Sequence, residues 1–429
     1  MQKNNPDQAL KLLQQHLKSN PRHAEGFFQA GNLLRDLDRW PEALNAFHTA
    51  CQLEPNKAEY QVGRGIILNQ MQMPLEAINA FNIAYTLKKD PGILYNRSLA
   101  LLLAGRYLEA WPGYEYRYLA PGKNKVIYDW YPAEKRWQGQ PFPGQTLVVF
   151  NEQGLGDDLQ FCRYLPYLKA LGEKVILITQ KPLMPLLSRL YGVDQVFEFC
   201  KATHEKLQAC DWFIPLMSLP YLFNTTLDSI PNQIPYLTVP PSYREKWQAL
   251  LAPQIKNQAV KKIGLVYTSS NDSLFNHART CPLQLWQPLF SLSGIQWFSL
   301  QKGTGTSPAQ PLATDGAPMI DLTAHIEDFG DTAALLEQLD LLISIDTSVP
   351  HLAGALGKPV WLLTPYIAQW RWLQYRSDSP WYPSFRLFRQ PAPNAWEPVL
   401  AQVKQALSIP QNSVRSSVHP PLCLPQTIV

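Results

Sequence analysis

The spacing of hydrophobic positions changes once along the chain. Near the start, apolar side chains recur every three or four residues, the spacing of amphipathic helices. From Thr146 onward, short apolar runs alternate with helical patterns. That alternation predicts parallel strands joined by crossover helices. Strands are expected at Thr146 to Phe150, Val175 to Thr179, Gln195 to Phe199 and Asp211 to Ile214. A second group is expected at Lys262 to Tyr267, Gln296 to Leu300, Leu341 to Ile345, Val360 to Leu363 and Arg386 to Phe388. The two groups predict two sheets, with a crossover helix at Tyr243 to Leu251 between them; further helices are expected at Leu159 to Leu171, with a kink at Pro166, and at Val349 to Leu356.

The helical part repeats. Ala43, Ala77 and Ala110 mark one small-residue position, 34 and then 33 residues apart. Phe47, Phe81 and Tyr114 stand four residues beyond each. Gly31 and Gly65 recur, with Ser98 in the third slot. A period of about 34 residues resembles the tetratricopeptide repeat, a helix–turn–helix unit whose small residues let two helices approach closely. Asn5 to Asn20 fits only the second helix of a unit, because Ala9 stands 34 residues before Ala43. The reading is an array truncated at its start, with a frayed start at Met1 as the alternative. Such arrays present a groove to a partner, or serve as a rigid spacer.

The expected domains are 1–119, helical repeats; 120–144, an aromatic- and Pro-rich linker; 145–240, a first α/β lobe; and 241–409, a second. A Ser/Pro-rich tail, 410–429, is expected to be disordered. The 46% hydrophobic content supports sizeable cores, and no apolar run has the length of a membrane span. The net charge of +4 is dispersed, which argues against nucleic acid as a partner. Six scattered cysteines without a Cys-x-x-Cys pair read as reduced and buried. The start has no secretory signal pattern, so the expected compartment is the cytoplasm.

Two turns carry the candidate chemistry. The segment Ile345-Asp-Thr-Ser-Val-Pro-His351 runs from a buried strand into a helix with Pro350 in its first turn, where a missing N–H costs nothing. A helix start beyond a strand's carboxyl end is an anion site, because its free N–H groups and dipole point at the ligand. The segment Phe150-Asn-Glu-Gln-Gly-Leu-Gly-Asp157 forms a second such turn. Asp157 reads either as a general base or as a cap for the following helix. Glu152 reads as ordering the glycine loop or as an alternative base. Asp346 and His351 face a ligand or serve the turn and the core. Lys302 and Arg279 are candidate phosphate contacts. The cluster Trp370-Arg371-Trp372 stacks on a base or sugar, or packs beneath the cleft. No metal-ligand spacing is apparent.

Together these residues resemble a known group. The repeats are followed by Glu152-Gln-Gly-Leu-Gly-Asp157, Arg163-Tyr-Leu-Pro166, Ile263-Gly-Leu-Val266, Asp346-Thr347 with His351-Leu-Ala-Gly-Ala-Leu-Gly357, and Trp370-Arg-Trp-Leu373. The chain is similar to bacterial repeat proteins with a C-terminal glycosyltransferase domain of heptosyltransferase type, and more distantly to O-linked N-acetylglucosamine transferases. The resemblance implies an α solenoid followed by α/β, a GT-B-like pair of Rossmann-like lobes. It implies a metal-independent inverting transfer with a nucleotide-sugar as substrate and no cofactor. Asp157 would be the catalytic base, on an acceptor loop of Glu152, Gln153, Gly154 and Gly156. Arg279, Lys302, Asp346, Thr347, Ser348 and His351 would bind the donor. The repeats would recruit a protein or glycan acceptor.

The chain departs from the pattern in two places. Gln160 to Tyr164 lengthens the stretch after Gly-Asp. Tyr267-Thr-Ser-Ser-Asn271 puts Ser269 where the repeat group carries glycine, and Phe275-Asn276 replaces a polar pair. These departures motivate the alternative of a catalytically degenerate scaffold. A sugar-nucleotide epimerase of the same architecture is a third reading.

Overall fold

The computed structural model describes residues 6–119, 131–255, 260–269, 278–302 and 319–409. The chain forms two compact units. One takes the first 132 residues together with Pro220–Thr226 and Ile367–Arg376; the other takes the remainder.

In the first unit, seven helices follow one another: α1 (Pro6–Ser19), α2 (Ala24–Asp36), α3 (Trp40–Leu53), α4 (Ala58–Gln70), α5 (Pro74–Leu87), α6 (Pro91–Leu103) and α7 (Tyr107–Tyr114). Pro opens α3, α5 and α6 within their first two positions, where no intrahelical N–H bond is lost. Asp90 caps α6 by accepting from the Gly92 N–H at 2.8 Å.

The repeated glycines have a steric reason. A Cβ on Gly31 would stand 2.8 Å from the Phe47 ring, and one on Gly65 would stand 2.6 Å from the Phe81 ring. The third unit reverses the pairing: Ser98 occupies the glycine slot, and Gly113, next to the last residue of α7, makes room for the Ser98 Cβ and the Leu94 carbonyl. Tyr107, Trp111 and Tyr114 of α7 form a box around Trp370, with ring centres 5.9, 5.9 and 6.2 Å away. The Trp111 indole donates to the Thr225 carbonyl at 2.7 Å. The Trp370 indole is a core residue of the repeat unit.

The second unit holds two parallel sheets. The first contains β1 (Phe142–Phe150), β2 (Gly172–Thr179), β3 (Gln195–Glu198) and β4 (Trp212–Pro215), in the order β3-β2-β1-β4. The second contains β5 (Lys261–Val266), β6 (Ile295–Ser299), β7 (Met319–Asp321), β8 (Leu341–Ile345), β9 (Val360–Thr364) and β10 (Phe385–Arg389), in the order β10-β9-β8-β5-β6-β7. Every residue of β8 and β9 is buried, as strands covered on both faces require. Both sheets grow outward from their first strand and then return to its other side. The order therefore reverses between β1 and β4, and between β5 and β8. Crevices at the carboxyl ends of the strands beside such a reversal are where open α/β sheets bind ligands.

Helix lengths differ from the expected pattern after β1. The expected helix from Leu159 to Leu171 is three pieces: Leu155–Phe161, a 3-10 turn Cys162–Tyr164, and Leu165–Leu168. Pro166 lacks the N–H needed to continue the ladder across that junction. The first piece is tied to β2 by Asp158, whose Oδ2 accepts from the Thr179 hydroxyl at 2.7 Å. Asp158 is buried. Burial pushes its carboxyl well above the usual range, an effect the Thr179 bond offsets in part, and the charges of Asp157 and Glu152 add to it.

Two predictions follow from this packing. Gly65→Ala is expected to destabilise the repeat unit by about 1–3 kcal/mol through overpacking. Gly65→Ala/Phe81→Leu should recover most of that loss, read from the unfolding midpoint; an unshifted midpoint for the single variant would mean the ring gives way freely. For Asp158 the folded state holds its proton more tightly than the unfolded chain does. Its contribution is therefore complete below the unfolded value of about 4 and is lost as pH rises toward the higher folded value. Relative to Asp158→Asn, the native protein should lose stability between acid and neutral pH in urea titrations. A pH-independent difference would exclude a raised carboxyl.

Candidate functional site

The site is built on the strand ends at the two reversals. At the end of β1, Asn151 and Glu152 are buried, 3% and 5% exposed. The Gln153 carbonyl accepts from the Gln180 side chain at 3.0 Å, which ties the loop to the end of β2. Gly154 caps the helix Leu155–Phe161, and its N–H donates to Asp157 Oδ2 at 3.0 Å. The structure thus gives Asp157 its capping bond, with the carboxylate at the mouth of the loop, half-buried.

At the end of β8, Thr347 is the N-cap of the helix Ser348–Ala355. The Asp346 carbonyl accepts from Arg279 Nη1 at 3.4 Å. Arg279 follows β5, so this contact spans the reversal between β5 and β8. Asp346 Oδ1 lies 4.0 Å from His351 Nε2. Asp346 Oδ2, Thr347 Oγ1 and, in the first lobe, Asn151 Oδ1 are buried without a hydrogen-bond partner among the described residues. These atoms stand at the strand ends, where a ligand entering the crevice would meet them.

The two turns meet. A Cβ on Gly156 would stand 3.0 Å from His351 Cδ2 and 3.4 Å from Ser348 Cα. Any larger residue at Gly156 would press the glycine loop against the start of the second lobe's helix. Gly156, Ser348, His351 and Asp346 therefore belong to one locus, with Glu152, Gln153, Gly154 and Asp157 leading into it from the other lobe.

The Lys302 ammonium donates to the Ile326 carbonyl at 2.7 Å. Its neighbour Gln301 lies against the end of β5: Oε1 accepts from the Tyr267 and Thr268 N–H groups at 3.2 and 3.0 Å. Of the departures, Phe275-Asn276 lies outside the described residues. Of the cysteines, Cys51, Cys162, Cys210 and Cys281 are buried as expected, whereas Cys200 is exposed. Among the described residues no cluster of three or more His, Cys, Asp or Glu side chains is arranged to hold a metal ion. None of their helices is long and apolar enough to cross a membrane.

The sequence reading missed Asn151, Asp158 and the surroundings of Arg163. Arg163 is 2% exposed and donates to the Gln160, Pro231 and Trp381 carbonyls at 2.8, 3.2 and 2.7 Å. It also donates to the Tyr236 hydroxyl at 3.0 Å. The available signal was a lone cation in the apolar run Phe161-Cys-Arg-Tyr-Leu165.

No family model matches the chain. It is similar to Protein FlbA of Caulobacter vibrioides, 26% identical over 435 residues that cover 94% of this chain and 70% of that protein. Among solved structures it resembles a glycosyl transferase family 9 protein of Veillonella parvula, at 13% identity and a TM-score of 0.43, over 65% of this chain and 92% of that one. The repeats resemble MamA (21% identity, TM-score 0.25) and PilF of Pseudomonas aeruginosa (23%, 0.26), over 26% and 29% of this chain. The chain spans 61% and 62% of those two repeat proteins, less than two thirds of either. Its architecture is tetratricopeptide-like helical repeats followed by two parallel α/β sheets, each with one reversal of strand order.

Proposed function

We propose that this chain is a metal-independent, inverting glycosyltransferase that takes a nucleotide-activated sugar, with the repeats recruiting a protein or glycan acceptor. The observation that carries this reading is the reversal between β5 and β8. There Arg279, the start of the helix Ser348–Ala355 and the unpartnered atoms of Asp346 and Thr347 gather at one strand-end crevice. In an inverting transfer the acceptor oxygen attacks the anomeric carbon as the nucleoside diphosphate leaves. The helix's free N–H groups and the Arg279 guanidinium suit the negative charge that builds on the departing phosphate. Asp157, steadied through Oδ2 by the Gly154 N–H, is suited to take the acceptor's proton from the facing lobe. A sugar donor seated between the lobes would touch both turns, because Gly156 adjoins Ser348 and His351.

Calorimetric titration with nucleoside diphosphates and their sugar conjugates, with chelator present, tests the donor site. Binding of one nucleotide class is expected, lost on Arg279→Ala or Asp346→Ala. Failure of every nucleotide to bind would overturn the reading in favour of a scaffold. Once a donor is known, Asp157→Asn is expected to lower turnover by about 10²–10⁴-fold with donor affinity retained. Unchanged turnover would remove Asp157 as the base, and product formed from donor alone would indicate an epimerase.

A further inference from the structure

The junction between α1 and α2 departs from the two junctions that repeat it. Where the later ones carry Ala50 with Lys57 and Ala84 with Asp90, this one carries His16 with His23. His16 lies in the last turn of α1, and His23 is the N-cap of α2, as Lys57 is of α4 and Asp90 of α6. A third position changes with them: Gly26 stands where α4 carries Tyr60 and α6 carries Ile93. A Cβ on Gly26 would stand 2.8 Å from both His23 Nδ1 and Leu17 Cδ2. The glycine therefore clears the space that the His23 ring occupies.

The turn between the helices holds the two rings in register. The Asn20 N–H and its side-chain Nδ2 both donate to the His16 carbonyl, at 2.9 and 3.0 Å, and the His23 N–H donates to the Asn20 carbonyl at 3.1 Å. His16 Nε2 and His23 Nδ1 then face each other 3.0 Å apart on the exposed side of the turn, with ring centres at 5.0 Å. One proton lies between them.

We propose that His16 and His23 form a bidentate site for a divalent transition-metal ion of tetragonal preference, Cu²⁺ or Ni²⁺, which clips α1 to α2. Imidazole nitrogens bind first-row ions at about 2.0–2.1 Å. Two such ligands at right angles on one ion stand about 2.9 Å apart, and two corners of a tetrahedron about 3.4 Å. The 3.0 Å spacing is that of adjacent ligands in a tetragonal site, the geometry of Cu²⁺ and Ni²⁺ rather than of a Zn²⁺ tetrahedron. On binding, the N–H···N bond breaks. The bridging proton moves to the other nitrogen of the ring that holds it; in His16 that is Nδ1, 3.4 Å from the Asn20 amide. Both facing nitrogens then give their lone pairs to the ion. Among the described residues no third His, Cys, Asp or Glu side chain joins the pair, so water fills the remaining positions. The site lies in the repeat unit, and the inference does not rest on the glycosyltransferase reading.

Calorimetric titration of the full chain with Ni²⁺ and with Zn²⁺, and electron paramagnetic resonance of its Cu²⁺ form, test the inference. One site is expected that binds Ni²⁺ more tightly than Zn²⁺. Its affinity should fall roughly tenfold or more in His16→Gln and in His23→Gln alike. The Cu²⁺ spectrum should show coupling to two imidazole nitrogens, and either variant should lose one of them. Because the ion binds only the folded junction, saturating Ni²⁺ should raise the unfolding midpoint of the native chain and leave that of either variant unmoved. Both side chains are exposed, so the variants are expected to fold, which circular dichroism checks. Undiminished binding in either variant, or a Cu²⁺ spectrum with fewer than two imidazole nitrogens, overturns the site. Tighter binding of Zn²⁺ than of Ni²⁺ overturns the tetragonal assignment.

Discussion

The α/β unit is organised around a buried positive charge. Removing a guanidinium from water is strongly unfavourable unless its donors find oxygens. Arg163 finds carbonyls on three separate stretches of chain: its own helix turn at Gln160, the crossover at Pro231 and the second lobe at Trp381. Those stretches must stay together, because separating any one strands a donor. The aromatic rings around the cation exclude the water that would otherwise replace the carbonyls. The geometry of the strand-end site depends on this clamp, since the helix that carries the glycine loop leads directly into Arg163.

A parallel sheet delivers every strand's carboxyl end to the same edge. Right-handed crossovers then return each chain to the opposite edge. With the same reversal of order in both sheets, each lobe has one central place where neighbouring loops diverge and leave room for a ligand. Asn151 stands at one such place and Asp346 at the other. The buried atoms left unsatisfied there contrast with Asp331, a buried carboxylate of the second lobe. Asp331 takes bonds from Lys246, Trp247 and the Glu327 N–H, which consume its capacity within the fold.

Much of the architecture was legible in the sequence because it rests on local rules. The glycine–aromatic pairing of the repeats is a matter of volume at a fixed spacing. The continuous apolar runs of β8 and β9 follow from burial on both faces, and the start of the helix at Ser348 lies one residue from its expected place. What escaped was tertiary. Nothing in the spacing of Tyr236, Trp381 and Tyr382 shows that they surround Arg163. The expected helix after β1 broke at Cys162 because Pro166 and the demands on Arg163 both fall there. The bond from Lys302 to the Ile326 carbonyl joins positions 24 residues apart, which spacing alone does not show. Trp370 could not be assigned at all from neighbours in sequence, since Tyr107, Trp111 and Tyr114 stand more than two hundred residues earlier.

The membership of that tryptophan bears on how the chain can be divided. Ile367–Arg376 lies between β9 and β10, yet it counts among the residues of the repeat unit, as does Pro220–Thr226. The polypeptide therefore enters the helical unit three times, and the two units are interlaced rather than strung in series. No single cut yields both intact. A fragment beginning after residue 132 would carry the Trp370 indole without its box, while one ending there would leave the Trp111 indole without the Thr225 carbonyl.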